Sequence, residues 1–320
     1  MRGNLREWTR ASSAPNPYFF HWFYMNIRLR GVIAAAATPV NADFSIDTER
    51  LIEHCRALLA EGCSGINMLG TTGEATSFSV EQRLAAMQAV ARSGLPMSQF
   101  MVGTGAASLT DAVRLTREAR DLDFAGALVL PPFYYKPIDN AGLLAYFDEL
   151  INRVGADLRL YLYNFPQLSG VPYPLEFVQA LKKKYPRQLL GLKDSSGDTA
   201  YAIAMATGVE DFDVFPSAEG TLNEADRYGW AGCISATVNV TVRASAAGWK
   251  SRGTVEGERA VATAAAQRAI LARSPVIAAV KQALAVKYQR PDWSRVVPPL
   301  HPLNSEQATQ QARDLASSGI

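Results

Sequence analysis

The sequence predicts an α/β protein, a (β/α)8 TIM barrel with a C-terminal helical extension. From Gly31 onward, short apolar runs alternate with longer segments of helical periodicity, and eight such runs can be counted. Because parallel strands need a long and usually helical connection, this alternation indicates successive βα units. A doubly wound open sheet would show the same alternation, but eight strands with regular intervening helices favour a closed barrel.

Each predicted strand is a short apolar run, and each predicted helix opens near a Ser, Thr, Asp or Asn that can cap it. The strands are predicted at residues 31–37, 65–69, 99–102, 126–130, 158–163, 189–193, 213–215 and 232–235, with helices such as 47–60, 79–92, 109–120 and 140–153 between them. Beyond Val238 the sequence is typical of helix, including 261–272 and 275–288. Four prolines after residue 290 leave room for only a short final helix.

This pattern divides the chain into three regions. They are an N-terminal extension at 1–27, a barrel at 28–237 and a C-terminal helical domain at 238–320. The extension contains an aromatic cluster at 18–24 but no helical or strand alternation, and Met25 stands just before the periodic pattern. Two interpretations stay open: the true start lies near Met25, or the extension is an ordered arm that packs on a neighbouring subunit.

The composition is typical of a globular enzyme, with 48% hydrophobic residues, 19% charged residues and a net charge of +2. Basic residues are scattered and no apolar stretch approaches the roughly 20 residues that span a bilayer, so neither a nucleic-acid nor a membrane partner is expected. Cys55, Cys63 and Cys233 are odd in number, and the N-terminus lacks the aliphatic core of a secretory signal, which favours a reducing, cytoplasmic location. Neither the cysteines nor the three histidines show metal-ligand spacing, so no metal is expected.

The residues just past the carboxyl end of each barrel strand face the active site, and Lys193 is the most informative of them. It closes the apolar run 189–192, where a buried strand would point its last side chain into the barrel mouth. Burial disfavours the charged form of an amine and so favours the neutral nucleophile. A structural ion pair with Asp194 or Asp198 is the alternative.

Polar and aromatic residues follow three other strands. The loop after the second strand, Gly70-Thr71-Thr72-Gly73, offers amides and two hydroxyls that suit a carboxylate or a phosphate. Tyr134, Tyr135 and Tyr163 follow the fourth and fifth strands. Tyrosines at such positions are more often core or rim aromatics, but a phenol near a nucleophilic lysine can relay protons.

Together these segments resemble the dihydrodipicolinate synthase and N-acetylneuraminate lyase family, from about Gly31 to Pro291. The resemblance rests on four motifs, Gly70-Thr71-Thr72-Gly73-Glu74, Pro132-Phe133-Tyr134-Tyr135, Tyr163-Asn164-Phe165-Pro166 through Gly170, and Gly191-Leu192-Lys193. It implies a (β/α)8 barrel with a C-terminal helical domain, commonly a homotetramer, that forms a Schiff base with pyruvate. No organic cofactor or metal is implied.

The resemblance also implies residue roles. Lys193 would form the Schiff base, with Tyr163 as the proton relay. Thr71 and Thr72 would bind the pyruvate carboxylate and join the relay. Tyr134 would reach the site of a neighbouring subunit, and Ile234 matches a position whose backbone contacts pyruvate. Ser217 is expected at the same barrel mouth.

The departures from the family pattern bear on the substrate. Leu168 occupies the position of the arginine that grips the second substrate's carboxylate in dihydrodipicolinate synthases, so Lys136 and Arg243 become the first basic residues to consider. Leu168-Ser169-Gly170 is similar to the sialic acid lyases, but their paired acidic residues after the seventh strand correspond to Glu219 and Gly220. Half of the grip on the substrate's glycerol chain is therefore missing.

These observations favour a lyase or aldolase that joins or separates pyruvate and an aldehyde and acts on a sugar-derived 2-oxo acid. A 4-hydroxy-tetrahydrodipicolinate synthase and a 2-oxo acid dehydratase are the alternatives within the family. A catalytically idle ligand-binding barrel would be expected to lack Lys193 or Tyr163, and both are present. A phosphate-binding barrel isomerase is disfavoured because Glu219 would repel a phosphate at the end of the seventh strand.

Overall fold

Eight parallel strands form a nearly closed barrel in the computed structural model, which describes residues 28–320. The strands are β1 Gly31–Ala35, β2 Gly65–Met68, β3 Phe100–Gly103, β4 Gly126–Val129, β5 Leu160–Asn164, β6 Leu189–Asp194, β7 Asp213–Pro216 and β8 Gly232–Ser235. All eight predicted strands are present, with ends within two residues of the prediction. The N-terminal extension at 1–27, with both of its interpretations, lies outside the described residues.

The strand order identifies a barrel and excludes the open sheet. From β1 to β7 each strand pairs in parallel with the next, and β8 pairs with β1. Between β7 and β8 the amide of Ala231 donates a hydrogen bond to the carbonyl of Val214 at 2.9 Å, which brings the two edges together. A doubly wound sheet would instead reverse its strand order at a switch point.

Helices surround the barrel and continue beyond it. They are α1 Thr48–Ala60, α2 Val80–Arg92, α3 Leu109–Asp121, α4 Asn140–Val154, α5 Pro166–Ser169, α6 Leu175–Lys184, α7 Thr199–Gly208, α8 Ala225–Tyr228, α9 Val238–Lys250, α10 Val255–Leu271, α11 Val276–Lys287 and α12 Ser305–Ser317. Asp47 caps α1, and a capping box of Ser79 and Gln82 begins α2, so the predicted starts differ by only the cap residue.

The region after β8 divides between the barrel and an appended helical layer. The side chain of Asn239 in α9 donates to the carbonyl of Ala35 and accepts from the amide of Ala37, so α9 packs on β1 and completes the ring of helices. We therefore propose that the C-terminal domain begins after Lys250. Its last helix, α12, is 13 residues long because the prolines precede its Asn304 cap and do not interrupt it.

Large side chains fill the barrel interior below its mouth. The inner cluster includes Ile33, Met101, Leu128, Tyr161 and Phe215. The ring of Tyr161 lies between β4 and β6, where a Cβ at Gly126 or Gly191 would stand 2.7 or 2.9 Å from ring atoms. Both glycines are therefore needed to make room for the Tyr161 ring. The polar side chains of the active site lie above this layer, at the mouth of the barrel.

Three further findings concern the described residues. Cys55, Cys63 and Cys233 are buried and free. Between residues 28 and 320 no single helix is long and apolar enough to cross a membrane. The helices α10 and α11 are long and apolar enough only when taken as one segment, and they meet at a bend of 108°.

Candidate active site

A cavity of about 500 Å³ opens at the carboxyl ends of the strands, which is the end where barrel enzymes hold their active sites. Barrel residues form its floor and the C-terminal domain forms one wall. The floor and sides are Thr71, Thr72, Tyr163, Phe165, Leu168, Lys193, Ser195, Ser217, Ile234 and Ala236, and the wall is Arg268, Pro275 to Ala278, and Pro299 to His301. A volume of this size accommodates a substrate larger than pyruvate.

Lys193 and Tyr163 are neighbours because they occupy paired positions on adjacent strands. The register of β5 and β6 places Tyr163 opposite Lys193. Paired residues of parallel strands point to the same face, here the barrel interior. The Nζ atom of Lys193 lies 4.4 Å from the centre of the Tyr163 ring. The amine therefore lies against the face of the Tyr163 ring, and the two side chains are immediate neighbours at the mouth.

No carboxylate among residues 28–320 forms an ion pair with Lys193, although its side chain is only 4% exposed. The two candidate partners are engaged elsewhere. Asp194 accepts hydrogen bonds from Asn164 and from the amide and hydroxyl of Ser196, and Asp198 caps α7. The structure therefore disfavours the ion-pair interpretation of Lys193, and its amine faces the cavity.

Thr71 adds a hydroxyl to the polar side chains at the mouth of the cavity. Its Oγ1 lies 3.1 Å from the hydroxyl of Tyr163, within hydrogen-bond distance. The loop that carries Thr71 turns tightly, because a Cβ at Gly73 would stand 3.0 Å from the carbonyl oxygen of Ala36. Lys193, Tyr163 and Thr71 thus form a connected arrangement of an amine, a phenol and an alcohol.

The last residue of the Gly-Thr-Thr-Gly-Glu motif fixes this loop to the C-terminal domain. Glu74 has a left-handed backbone, with φ of 55°, and its buried carboxylate accepts hydrogen bonds from Lys281 in α11 at 2.5 Å and from the amide of Val297 at 2.7 Å. Burial lowers the pKa of Lys281, and the adjacent Glu74 carboxylate opposes that shift. Glu74 therefore has a supporting role that the motif alone did not reveal.

Comparisons with known proteins agree with this arrangement. A model of the dihydrodipicolinate synthetase family matches residues 28–318. The chain belongs to this family. A protein of Chloroflexus aurantiacus described as an uncharacterized DapA-like lyase is 38% identical over 208 residues, which are 65% of this chain and 69% of the relative.

Two solved structures illustrate the range of this dihydrodipicolinate synthetase family. A dihydrodipicolinate synthase from Acinetobacter baumannii, complexed with pyruvate, is 26% identical with a TM-score of 0.81, covering 91% of this chain and 99% of that one. The N-acetylneuraminate lyase of Proteus mirabilis is 25% identical with a TM-score of 0.79, covering the same shares. The resemblance inferred from the motifs is confirmed.

Seven of the nine residues proposed for the site border the cavity of this family member. They are Lys193, Tyr163, Thr71, Thr72, Ser217, Ile234 and Leu168. Leu168, at the position of the synthase arginine, is 63% exposed and presents an apolar side chain to the opening. The roles assigned to these residues stay predictions, although their positions suit them.

The other two residues, Tyr134 and Glu219, do not line the cavity. Tyr134 is 73% exposed and pairs edge to face with Tyr135. Glu219 is fully buried, and it accepts hydrogen bonds from the hydroxyls of Ser235, Thr237 and Thr241. Arg268 also pairs with this carboxylate at 3.3 Å, so its charge is balanced and buried away from the cavity. Repulsion by Glu219 is therefore not the reason to exclude a phosphate near β7.

The two basic residues expected to replace the synthase arginine also lie outside the cavity lining. The Nζ atom of Lys136 donates to the carbonyl of Ser169 at 3.0 Å. Arg243, on α9, is 83% exposed and its Nη2 lies 3.9 Å from Glu61. Arg268, which sequence reasoning missed, is the arginine that borders the cavity. It lies in an alanine-rich helix without any local motif, so only the packing of α10 identifies it.

Between residues 28 and 320, no three His, Cys, Asp or Glu side chains form a cluster that could hold a metal ion. The ionisable side chains at the mouth are instead an amine, a phenol, a guanidinium and an imidazole. This set suits covalent and acid–base chemistry on a carbonyl substrate.

Proposed function

We propose that this protein is a pyruvate-dependent Schiff-base lyase that cleaves or forms a carbon–carbon bond between pyruvate and an aldehyde. The observation that carries the proposal is the juxtaposition of Lys193 and Tyr163 on paired strand positions, with Thr71 3.1 Å from the tyrosine hydroxyl. Membership of the dihydrodipicolinate synthetase family and likeness to a synthase complexed with pyruvate support pyruvate as one substrate.

The reaction begins with addition of the neutral Lys193 amine to the 2-oxo carbon, which forms a carbon–nitrogen bond and an alkoxide. Tyr163, whose hydroxyl lies within hydrogen-bond distance of Thr71, donates a proton to that oxygen and becomes a phenolate. A second proton then moves from the amine nitrogen to the new hydroxyl, water leaves, and a protonated imine remains. The imine nitrogen then accepts the electron pair of the breaking carbon–carbon bond. The Tyr163 phenolate takes the proton of the substrate hydroxyl, which yields the aldehyde and an enamine of pyruvate and restores the phenol.

Protonation of the enamine and hydrolysis of the imine release pyruvate and restore Lys193. In the synthetic direction the enamine attacks the aldehyde. The protonated imine supplies the electron sink in either direction, so this sequence of steps requires no metal ion or organic cofactor.

The second substrate is proposed to be an aldehyde derived from a sugar acid. Leu168 offers no bidentate grip on a carboxylate, which separates this chain from the dihydrodipicolinate synthases. Among the described lining residues there is also no carboxylate to receive the ammonium group of aspartate semialdehyde. A 4-hydroxy-tetrahydrodipicolinate synthase or a 2-oxo acid dehydratase is the second candidate, supported by family membership.

We further propose that the protein is cytoplasmic and assembles as a homotetramer or homodimer, and Tyr134 and Tyr135 support the assembly. Both side chains are largely exposed, whereas the other tyrosines of the described chain are at least half-buried. Two exposed aromatic rings side by side are typical of a surface covered by another subunit. Sedimentation of the protein with Tyr134→Ala and Tyr135→Ala substitutions would show a weakened assembly if these rings lie at the interface.

Borohydride trapping tests the central proposal. Reduction in the presence of pyruvate should leave a 1-carboxyethyl group on the peptide that contains Lys193, as read by mass spectrometry. The Lys193→Ala variant should lose this adduct, whereas Lys136→Ala, which removes an amine outside the cavity lining, should retain it. An adduct on another lysine, or none at all, would show that the proposal is wrong.

A substrate panel tests the specificity. Pyruvate release from 2-oxo-3-deoxy sugar acids should exceed release from sialic acid, and condensation of pyruvate with aspartate semialdehyde should be slow. Turnover of aspartate semialdehyde at the rate of a dedicated synthase would favour the second candidate instead.

A further inference from the structure

Arg268 is the basic residue of the C-terminal wall whose side chain is held from one side only. It belongs to α10, borders the catalytic cavity and is 31% exposed. Its Nη1 atom donates to the hydroxyl of Thr237 at 2.9 Å and to that of Ser235 at 3.1 Å, and it lies 3.3 Å from the Glu219 carboxylate. These contacts fix the guanidinium above the end of β8.

The other nitrogens of this guanidinium have no protein partner. Among residues 28–320, neither Nε nor Nη2 of Arg268 makes a hydrogen bond. A guanidinium has five N–H groups arranged as a fork, and its planar shape suits two parallel bonds to a carboxylate or phosphate. The Nε and Nη2 edge of the Arg268 guanidinium can therefore bind an anion.

Glu219 serves this arrangement as a positioning residue. Its carboxylate is fully buried and is satisfied by three hydroxyls as well as by Arg268, so it balances one positive charge without reaching the cavity. Because the buried Glu219 carboxylate is hydrogen-bonded and paired with Arg268, its desolvation costs less free energy than that of an unpaired buried carboxylate. It can therefore hold the guanidinium in place. The Nη1 atom of Arg268 is held by these contacts, and its Nε and Nη2 atoms are available to a ligand.

The charge of the cavity lining also favours an anionic ligand. Its ionisable lining consists of Lys193, Arg268, His301 and Tyr163, and no carboxylate of the described chain joins them. Pyruvate brings one carboxylate, for which Thr71 and Thr72 are the proposed partners. The cavity is larger than pyruvate needs, and Arg268 projects from the C-terminal wall, on a different element from Lys193.

We propose that Arg268 binds an anionic group, a carboxylate or a phosphate, at the far end of the aldehyde half of the substrate. The inference rests on the proposed lyase function and narrows its substrate class to 2-oxo acids with a second anion. The cationic group proposed here lies on a different element from the position of the synthase arginine, which is occupied by Leu168.

The test compares substrates that differ only at the far end. Each pair of 2-oxo-3-deoxy acids shares one carbon chain and ends either in a neutral hydroxymethyl group or in its phosphate ester or oxidised carboxylate. The protein should cleave the anionic members with kcat/KM about 10- to 100-fold higher, the range expected for a charged hydrogen bond. Whichever anion shows the larger preference identifies the natural group.

Substitutions then assign the preference to Arg268. Arg268→Gln should lose the preference through a higher KM for the anionic member while leaving the neutral member nearly unchanged, and Arg268→Lys should recover part of it. The double variant Glu219→Gln with Arg268→Gln guards against misfolding, because it removes both charges together. Arg259→Gln, an exposed arginine on the same helix outside the cavity lining, should behave like the unaltered protein.

Three outcomes would overturn the proposal: equal cleavage of anionic and neutral substrates by the unaltered protein, a preference that survives Arg268→Gln, or an equal loss on both substrates in every Arg268 variant. Borohydride trapping of pyruvate separates these outcomes from a failure of the lyase function. Every Arg268 variant should still trap pyruvate on Lys193, and absence of trapping in the unaltered protein would remove the basis of both proposals.

Discussion

Two lysines are buried near the same barrel mouth, and their surroundings differ in one respect. Lys281 is fully buried and its amine is bound to the Glu74 carboxylate, which in turn accepts from the Val297 amide. Lys193 is almost as buried, but its amine makes no hydrogen bond or ion pair with the described residues and borders the cavity beside Tyr163. The Lys281 amine is bound within the protein, and the Lys193 amine is available to a substrate.

The comparison teaches that burial alone does not assign a role to an ionisable group. A buried charge needs an opposite charge and further hydrogen bonds, and Lys281 has them. Its ion pair joins the Gly-Thr-Thr-Gly-Glu loop to the C-terminal domain, so its contribution is to position Thr71 and Thr72. Lys193 has only the face of an aromatic ring and open space, which is the environment of a nucleophile.

The largest expected effect comes from removing the free amine. Lys193→Ala should abolish pyruvate release while leaving the free energy of unfolding within about 1 kcal/mol, because no ion pair is broken. Lys193→Arg should fail equally, since a guanidinium stays protonated and is not a nucleophile. Steady-state kinetics together with urea denaturation would check both. A Lys193→Ala protein that keeps its activity would reverse the assignment of the two lysines.

Tyr163→Phe is expected to have the next largest effect. The ring and its packing against Lys193 remain, but the hydroxyl that bonds to Thr71 is lost, so proton transfer during imine formation should slow by about 10²- to 10⁴-fold. The rate of borohydride-trapped adduct formation with pyruvate would measure this step directly. Thr71→Val should slow the same step by a smaller factor, and an unchanged rate in both variants would exclude the relay.

Lys281→Met tests the other lysine, and here stability should change. Leaving the Glu74 carboxylate buried without its cation should lower the free energy of unfolding by about 3–5 kcal/mol. The double variant Glu74→Gln with Lys281→Met removes both charges and should regain much of that loss, as urea denaturation would show. If Lys281→Met is as stable as the unaltered protein, the pair does not hold the loop.

The sequence was sufficient to predict the barrel and the pairing of Lys193 with Tyr163. Each strand is a short apolar run, and each of the two residues lies at or near the carboxyl end of its strand. Adjacent parallel strands place such positions side by side. Local pattern and fold geometry thus combine to locate the reactive pair.

The supporting contacts could not be predicted in the same way. Glu74 and Lys281 are 207 residues apart, and Arg268 and Glu219 are 49 apart, with no periodicity to link them. Glu219 was expected to touch substrate because its motif position suggested so, whereas the hydroxyls that follow β8 enclose it. Such pairs depend on how the C-terminal helices dock on the barrel, and only the three-dimensional arrangement supplies that information.

His54 extends the comparison to a buried base that has neither a carboxylate partner nor a cavity. Its Nε2 lies 2.7 Å from the Oδ1 of Asn239, and its Nδ1 lies 2.8 Å from the Tyr288 hydroxyl. Burial is the main cause that lowers the pKa of His54 to about 4. The hydrogen bond with Asn239 opposes this shift, and the charge of Lys287 adds to it. We therefore expect a neutral ring that supports α1 and α9.

The expected pH dependence follows from the sign of that shift. Between the pKa of about 4 in the folded protein and the ordinary value of 6.5, the unfolded chain binds a proton that the folded protein does not. Stability from this group is therefore complete above pH 6.5 and is lost as the pH falls toward 4, by about 3 kcal/mol in total. Urea denaturation at several pH values should show this loss. His54→Gln keeps an N–H donor for Asn239 but does not titrate, so its stability should fall less steeply across the same range, and parallel profiles for the two proteins would mean that His54 takes up a proton within the fold.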